Sequence, residues 1–127
     1  MLIQRTTTFV QDTLADAEGG HDWFHIDRVF KLAMHIGEVE GTVDMEVVAL
    51  GALLHDIADS KFHDGDEEIG PKTARAFLET EAVQEVTIAH VENIIRHISF
   101  KGSFEGQQWS SPELAVVQDA DRLDALG

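Results

Sequence analysis

A histidine-aspartate pair, His55-Asp56, ends the most apolar stretch of this 127-residue sequence, the run ALGALLHDIAD. An unpaired carboxylate in apolar surroundings is costly, so Asp56 needs a cation or several hydrogen-bond donors beside it. A divalent metal ion meets that need, and histidine is the side chain that most often binds metals. The pair therefore predicts part of a metal site at the end of a buried helix.

His25 and Asp121 are the candidates for the remaining ligands. His25 lies in the first turn of a predicted helix whose apolar face continues through Val29 and Ile36. Asp121 follows Val117 by four residues and interrupts the apolar stripe of the last predicted helix. Two imidazoles and two carboxylates suit Mn, Fe, Co, Ni or Zn; Mg stays among the candidates although it prefers oxygen ligands. Four protein ligands leave positions for water or substrate, which is typical of a catalytic site.

The same four residues also have a purely structural interpretation. A histidine on an apolar face is most often a hydrogen-bonded core residue, and an aspartate near a helix end is most often a cap. Helical periodicity alone does not separate this interpretation from the metal site.

Helices must position these side chains, because apolar residues recur at helical spacing throughout the chain. The predicted helices cover residues 2–17, 23–40 after an Asp22 cap, 45–58 after an Asp44 cap, 71–79, 81–100, and a last helix opened by Ser111-Pro112. The polar segment 61–70 is expected to be a loop or a short helix, and the segment 101–111 is expected to be a loop. The predicted fold class is all-α, with a single domain over residues 1–127.

Composition limits the partners of the chain. It carries 24 acidic and 9 basic side chains, and the formal charge of −15 excludes the basic stripe that nucleic-acid polymers need and disfavours an anionic membrane surface. No apolar run approaches the roughly 20 residues that cross a bilayer. The absence of cysteine fits a cytoplasmic protein.

Three segments, HDWFHIDRV, LGALLHDIADSKF and VQDADRLDALG, together resemble the motifs of the HD-domain superfamily of metal-dependent phosphohydrolases, in particular a subfamily of small bacterial HD hydrolases. The resemblance extends over residues 21–127. It implies an all-α HD-domain helical bundle with His25, His55, Asp56 and Asp121 as metal ligands, the same four that burial and spacing indicate. Members of this family normally continue with further helices after the last motif, so the chain is expected to lack C-terminal helices.

The resemblance also implies a catalytic residue. In some relatives an acidic residue at the position of Asp59 orients or activates the attacking water; the alternative is that Asp59 is only a hydrogen-bond acceptor at a helix end. A phosphorylated substrate approaching a chain of charge −15 needs local cations, and Lys61, Arg28 and Arg122 are the closest in sequence to the proposed ligands. Surface salt bridges are the alternative role for Lys61 and Arg122.

His90 and His97 are seven residues apart, about two helical turns, and share a face with Val83, Val86 and Ile94. They are assigned to substrate contact, with core packing, support of the site or a second metal as alternatives.

The function implied is that of a metal-dependent phosphohydrolase, in which a metal-activated water attacks a phosphate ester or anhydride. The resemblance favours a nucleotide as the small-molecule substrate. One alternative is a non-catalytic module that binds metal and nucleotide and regulates a partner. Another is a di-iron HD oxygenase. A homodimer is also considered, because missing helices would expose an apolar patch.

Overall fold

The computed structural model describes residues 1–15, 23–58, 68–98 and 109–126. Within these ranges the chain forms helices and no strand: α1 (Leu2–Ala15), α2 (Trp23–Glu40), α3 (Met45–Leu54), α4 (Ile69–Thr80), α5 (Glu85–Ile98) and α6 (Pro112–Leu126). The all-α prediction is confirmed. Among the described helices, none combines the length and apolar character needed to cross a membrane.

The apolar helix α3 lies at the centre of the bundle. All its residues from 47 to 54 are buried, because α1, α2, α5 and α6 pack around it. Gly51 lets α5 approach closely, since a Cβ added there would lie 3.2 Å from Cγ2 of Ile94. The prediction of a central, buried helix is confirmed.

The start of α3 is capped as its sequence predicts. Oδ1 of Asp44 accepts hydrogen bonds from the backbone N–H groups of Glu46 and Val47, at 3.0 and 3.4 Å. The backbone N–H of Asp44 in turn donates to Oε2 of Glu113 on α6, at 2.8 Å. The cap therefore joins two helices that are far apart in sequence.

The end of α3 differs from the prediction, because the helix stops at Leu54 rather than at Ala58. The N–H of Ile57 bonds to the carbonyl of Leu54 at 3.1 Å, which is a tighter turn than the α-helical one. The ring of His55 bonds to the carbonyl of Ala52 at 2.7 Å and satisfies one of the carbonyls left open at a helix end. The chain therefore turns at the His-Asp pair itself.

Helices α2 and α6 pack against α3 and against each other. Four residues of α2 are buried: Ile26, Val29, Ala33 and Gly37. The buried side of α6 ends at Ala120, so Leu123 and Leu126, which were predicted to lie on its apolar face, are exposed. In these last turns the acidic residues Asp121 and Asp124 occupy the side that contacts α2.

Two other predicted boundaries are wrong. Helix α4 begins at Ile69 and buries Pro71, which was predicted to be the first residue of the helix. Helix α5 begins at Glu85 rather than at residue 81, after a turn in which Ala82 has a φ of 57°. With this start, Ile88, Val91, Ile94 and Ile95 form the buried face of α5, and Val86 is exposed. The Asp22 cap, residues 16–17 and most of both predicted loops lie outside the described residues.

Candidate metal centre

The four predicted ligands meet at one place. His25 comes from the first turn of α2, His55 and Asp56 follow the end of α3, and Asp121 comes from α6. Nε2 of His25 lies 3.3 Å from Oδ1 of Asp121 and 3.7 Å from Oδ2 of Asp56. Nε2 of His55 lies 3.5 and 3.8 Å from the same two oxygens. Ligands at about 2.1 Å from one ion lie roughly 3.0–3.4 Å apart. Ligand atoms of His25, His55 and Asp56 lie within 4.8 Å of one another. Asp121 lies outside that group of three but places Oδ1 near both histidine nitrogens.

His55 provides a test of whether a cation fits. Its side chain is only 3% exposed, and the carbonyl of Ala52 can only accept a hydrogen bond, so Nδ1–H donates to it. In a neutral ring Nε2 is then an acceptor, and this buried atom has no hydrogen-bond partner among the residues that the structure describes. Such an orphaned acceptor is expensive in a folded protein, and a metal ion satisfies it.

His25 presents the same nitrogen to the same place. Its Nδ1 lies 2.6 Å from Oδ2 of Asp124, and a carboxylate accepts, so Nδ1–H donates. When both rings are neutral, two Nε2 lone pairs and the carboxylates of Asp56 and Asp121 therefore face one another as acceptors. A cation between them replaces this repulsion by attraction, so the donor set fits a divalent metal.

The electrostatics of the centre also favour a cation. Burial by itself lowers the pKa of His55, but Asp121 and Asp56, together with the carbonyl of Ala52, outweigh it, and the pKa is raised. The imidazole of His55 in turn holds the pKa of Asp121 below its usual value. The two carboxylates thus create a negative field that favours a positive charge between the rings.

Asp124 is a residue of this site that sequence reasoning missed. Its side chain is 9% exposed, and its carboxylate accepts from Nδ1 of His25 and from Nε of Arg28, both at 2.6 Å. The Arg28 guanidinium, with a smaller contribution from His25, holds the pKa of Asp124 below its usual value. The spacing of three residues from His25 to Arg28 and from Asp121 to Asp124 is a signal that could have found it, because residues three apart share a helix face.

Arg28 was predicted to contact substrate, and the structure shows it bound to Asp124. Its side chain is 57% exposed and stands at the edge of an open groove of about 550 Å³ between α2 and α6. Lys31, Leu32 and Leu123 also line this groove. The substrate contact of Arg28 stays a prediction.

For three other predicted site residues the structure gives no distance that tests their predicted roles. Asp59 and Lys61 lie outside the described residues. Arg122 is exposed on α6, next to Asp121. Their predicted roles in catalysis and substrate binding are untested.

His90 and His97 lie on α5 and are grouped with the start of α6 rather than with the four ligands. Nε2 of His90 is 2.9 Å from Oγ of Ser111 and 3.6 Å from Oε1 of Glu113. Those two residues precede the α6 ligand by ten and eight positions, about 12–15 Å along a helix. The rings of His90 and His97 both pack on Trp109, with centroids 5.6 and 5.4 Å away.

Comparison with known proteins places the chain in a family. The model of the HD domain matches residues 23–126. The chain is 37% identical over 125 residues to the uncharacterized protein YpgQ of Bacillus subtilis (strain 168), covering 98% of this chain and 60% of YpgQ. It therefore spans about three fifths of the length of this curated relative.

Solved structures agree with the family model. A crystal structure of an HD-superfamily hydrolase from Bacillus thuringiensis is 40% identical with a TM-score of 0.76, over 98% of this chain and 57% of that one. The structure of Bacillus subtilis YpgQ in complex with ADP is 36% identical with a TM-score of 0.76, over 97% and 57%. A predicted HD-superfamily hydrolase from an uncultured Thermotogales bacterium is 29% identical with a TM-score of 0.77, over 96% and 67%. The chain belongs to the HD-domain family, as its motifs predict.

Proposed function

We propose that the chain binds a divalent metal ion through His25, His55, Asp56 and Asp121, and that this centre serves the hydrolysis of a phosphate ester or anhydride. The observation that carries the proposal is Nε2 of His55, a buried acceptor that has no hydrogen-bond partner in the described part of the chain and lies 3.5 Å from Oδ1 of Asp121. Family membership supports a metal-dependent hydrolase.

A divalent cation bound here would supply Lewis acidity and would lower the pKa of a bound water toward about 7. The protein contributes the geometry. The carbonyl of Ala52 and the carboxylate of Asp124 each hold an Nδ1–H, so that both histidines present Nε2. Asp56 and Asp121 bring two negative charges, which a doubly charged ion balances. An anionic substrate then approaches a ligand set that is neutral overall, despite the formal charge of −15 on the chain.

Residues beside the ligands are proposed to act on water and substrate. Asp59, three positions after Asp56, would orient or deprotonate the attacking water. Lys61, Arg28 and Arg122 would neutralise charge that develops on the phosphoryl group. His90 and His97 stay as predicted substrate contacts of the whole protein.

Nucleotides are the proposed substrate class. A structure of Bacillus subtilis YpgQ holds ADP, and 36% of residues are identical between that chain and this one. A nucleoside diphosphate offers both a phosphate ester and an anhydride bond to such a centre. A regulatory module that binds metal and nucleotide without turnover is the second candidate, because the same observation concerns binding rather than reaction.

The test measures metal and phosphate in the same preparations. We expect the purified protein to contain a divalent metal by elemental analysis, and to release phosphate from a panel of nucleotides when supplied with that metal. Asp56→Ala should lose both properties, and Asp119→Ala, at an exposed position of α6, should keep both. If Asp56→Ala retains bound metal and hydrolysis, the mechanism is wrong. Saturable nucleotide binding without phosphate release by the wild type would favour the regulatory module.

A further inference from the structure

Asp124 stands on the far side of His25 from the metal ligands. Its Oδ2 accepts a hydrogen bond from Nδ1 of His25 at 2.6 Å, whereas Nε2 of the same ring faces Asp56 and Asp121. The other oxygen, Oδ1, accepts from Nε of Arg28 at 2.6 Å. Both carboxylate oxygens are thus engaged away from the centre, and Asp124 offers it no ligand atom.

A neutral imidazole carries one N–H, and its hydrogen-bond partner decides which nitrogen holds it. A carboxylate beside Nδ1 keeps the proton there and leaves the lone pair on Nε2. It also limits rotation of the ring and increases the basicity of the ligating nitrogen. The contact with Asp124 therefore prepares His25 for a metal.

His55 shows why His25 needs a partner from another helix. His55 follows the end of α3, where the open carbonyl of Ala52 lies 2.7 Å from its Nδ1. His25 lies in the first turn of α2, where the backbone carbonyls point toward the other end of the helix and into its own hydrogen bonds. An acceptor for its Nδ1 must come from elsewhere, and α6 provides it.

We propose that Asp124 is a positioning residue that sets the tautomer and orientation of His25 for metal binding, and that Arg28 acts through Asp124 by holding its carboxylate. The inference rests on the proposed metal centre. It gives Arg28 a role at the rear of His25 in addition to the proposed contact with a substrate phosphate.

The first test is metal affinity, measured by calorimetric titration of the metal-free protein with Mn²⁺ and, separately, with Co²⁺. Asp124→Asn keeps the shape and removes the charge, and we expect a loss in affinity of about 10- to 100-fold. Asp119→Asn is the matched control on the exposed side of α6 and should bind like the wild type. Equal affinities of Asp124→Asn and the wild type would overturn the inference.

The second test separates the two roles of Arg28. Arg28→Gln should weaken metal binding less than Asp124→Asn, and the double variant should be no weaker than Asp124→Asn alone, because Arg28 acts through Asp124. Lys31 lies about one helical turn after Arg28 on α2 and pairs with Asp27. The control Lys31→Gln should leave metal affinity unchanged. If Arg28→Gln raises the KM for a nucleotide at saturating metal and leaves metal affinity intact, the positioning role of Arg28 is wrong.

The third test observes the wild type directly and uses a variant only to assign a signal. Nitrogen-15 NMR of the metal-free wild type, at a pH about two units above the ordinary imidazole pKa of about 6.5, should show His25 with its proton on Nδ1. The His25 signal is assigned by its absence in His25→Gln. A ring protonated on Nε2 would overturn the inference even where Asp124→Asn fails to fold. A wild type that binds neither metal overturns the proposed function instead, so the two failures are distinguishable.

Discussion

Helix α6 carries two polar clusters that look alike in sequence and differ in chemistry. The capping cluster, at its start, consists of Ser111, Glu113, His90 and the backbone N–H of Asp44. The metal centre, near its end, consists of the four ligands His25, His55, Asp56 and Asp121. Each brings histidine from another helix to an acidic residue of α6.

Donors meet acceptors in the capping cluster. Oε2 of Glu113 accepts from the N–H of Asp44 at 2.8 Å, and Oγ of Ser111 accepts from the N–H of Leu114 at 3.0 Å. The Ser111 hydroxyl, which both donates and accepts, lies 2.9 Å from Nε2 of His90. In the metal centre the neutral rings of His25 and His55 present Nε2 as an acceptor toward two carboxylates, and Nε2 of His55 has no hydrogen-bond partner within the described residues. A histidine beside a carboxylate can therefore belong either to a hydrogen-bonded cap or to a metal site, and the positions of the hydrogen-bond donors distinguish the two.

The largest expected effect tests this contrast at two histidines. His55→Gln should lower metal affinity by more than about 100-fold, since it removes a ligand rather than a supporting contact. His90→Gln should leave metal affinity unchanged, because its ring nitrogen already has Ser111 as a partner. Calorimetric titration with Mn²⁺ measures both. Loss of metal from His90→Gln would favour the di-iron alternative and remove the contrast.

The second prediction compares the stability of the metal-free protein after a substitution in each cluster. Glu113→Ala leaves the N–H of Asp44 without its buried acceptor and should lower the free energy of unfolding by about 1–3 kcal/mol, with metal affinity intact. Asp121→Asn should instead lower metal affinity, because it removes a charged ligand, and should change the stability of the metal-free protein by less than Glu113→Ala, because the Asp121 side chain is 39% exposed. Urea denaturation of the metal-free proteins measures the stabilities, and Glu38→Ala, at an exposed position of α2, is the control. Equal destabilisation by both substitutions would show that the clusters are of one kind.

A smaller effect is expected at the helix cap itself. Asp44→Ala removes the acceptor of the N–H groups of Glu46 and Val47, and should cost about 1 kcal/mol of stability. The backbone N–H of residue 44 keeps its bond to Glu113, so the loss should stay below that of Glu113→Ala. A loss as large as that of Glu113→Ala would place the stabilising contribution in the cap rather than in the buried carboxylate.

The smallest effect comes from an exposed ion pair outside both clusters. Glu68 accepts from Nε and Nη2 of Arg96 at 2.8 and 2.7 Å, and the guanidinium lowers the pKa of Glu68. A lowered folded-state pKa means that this stabilisation is present above the ordinary value of 4.5 and is lost as the pH falls through the folded-state value. Glu68→Gln should therefore cost less than about 1 kcal/mol at neutral pH, and the difference should vanish in acid. A difference that persists in acid would rule out the ion pair as its source.

Local patterns in the sequence predicted much of the fold and the proposed ligands. The period of apolar residues indicated an all-α chain, and the unbroken apolar run before His55-Asp56 indicated that α3 is central. Of the two polar residues that follow this run, His55 is buried and Asp56 is partly exposed. Asp121 was found because it interrupts an apolar stripe. These signals are visible in the sequence because burial and helical periodicity act on neighbours a few residues apart.

Element boundaries were harder to predict. Helix α3 stops at Leu54, where the side chain of His55 competes for the carbonyl of Ala52. The spacing of apolar residues in the sequence gives no sign of this competition. Helix α5 starts at Glu85, later in the sequence than predicted, and Val86 is exposed. Packing against neighbouring helices, rather than hydrophobicity alone, decides which face of the helix is buried. Such choices depend on which surface a neighbouring helix covers.

The sequence by itself determined the helices, the kinds of ligand and the family motifs, because these depend on residue type and short spacing. Only the tertiary structure decided which nitrogen of each histidine faces the centre. Asp124 is 99 residues from His25, and packing of α2 on α6 brings the two within 2.6 Å. A proton stays on the nitrogen that has an acceptor, and that acceptor comes from a helix end for His55 and from a distant helix for His25. The chemistry of the centre is therefore set by contacts that sequence spacing does not encode.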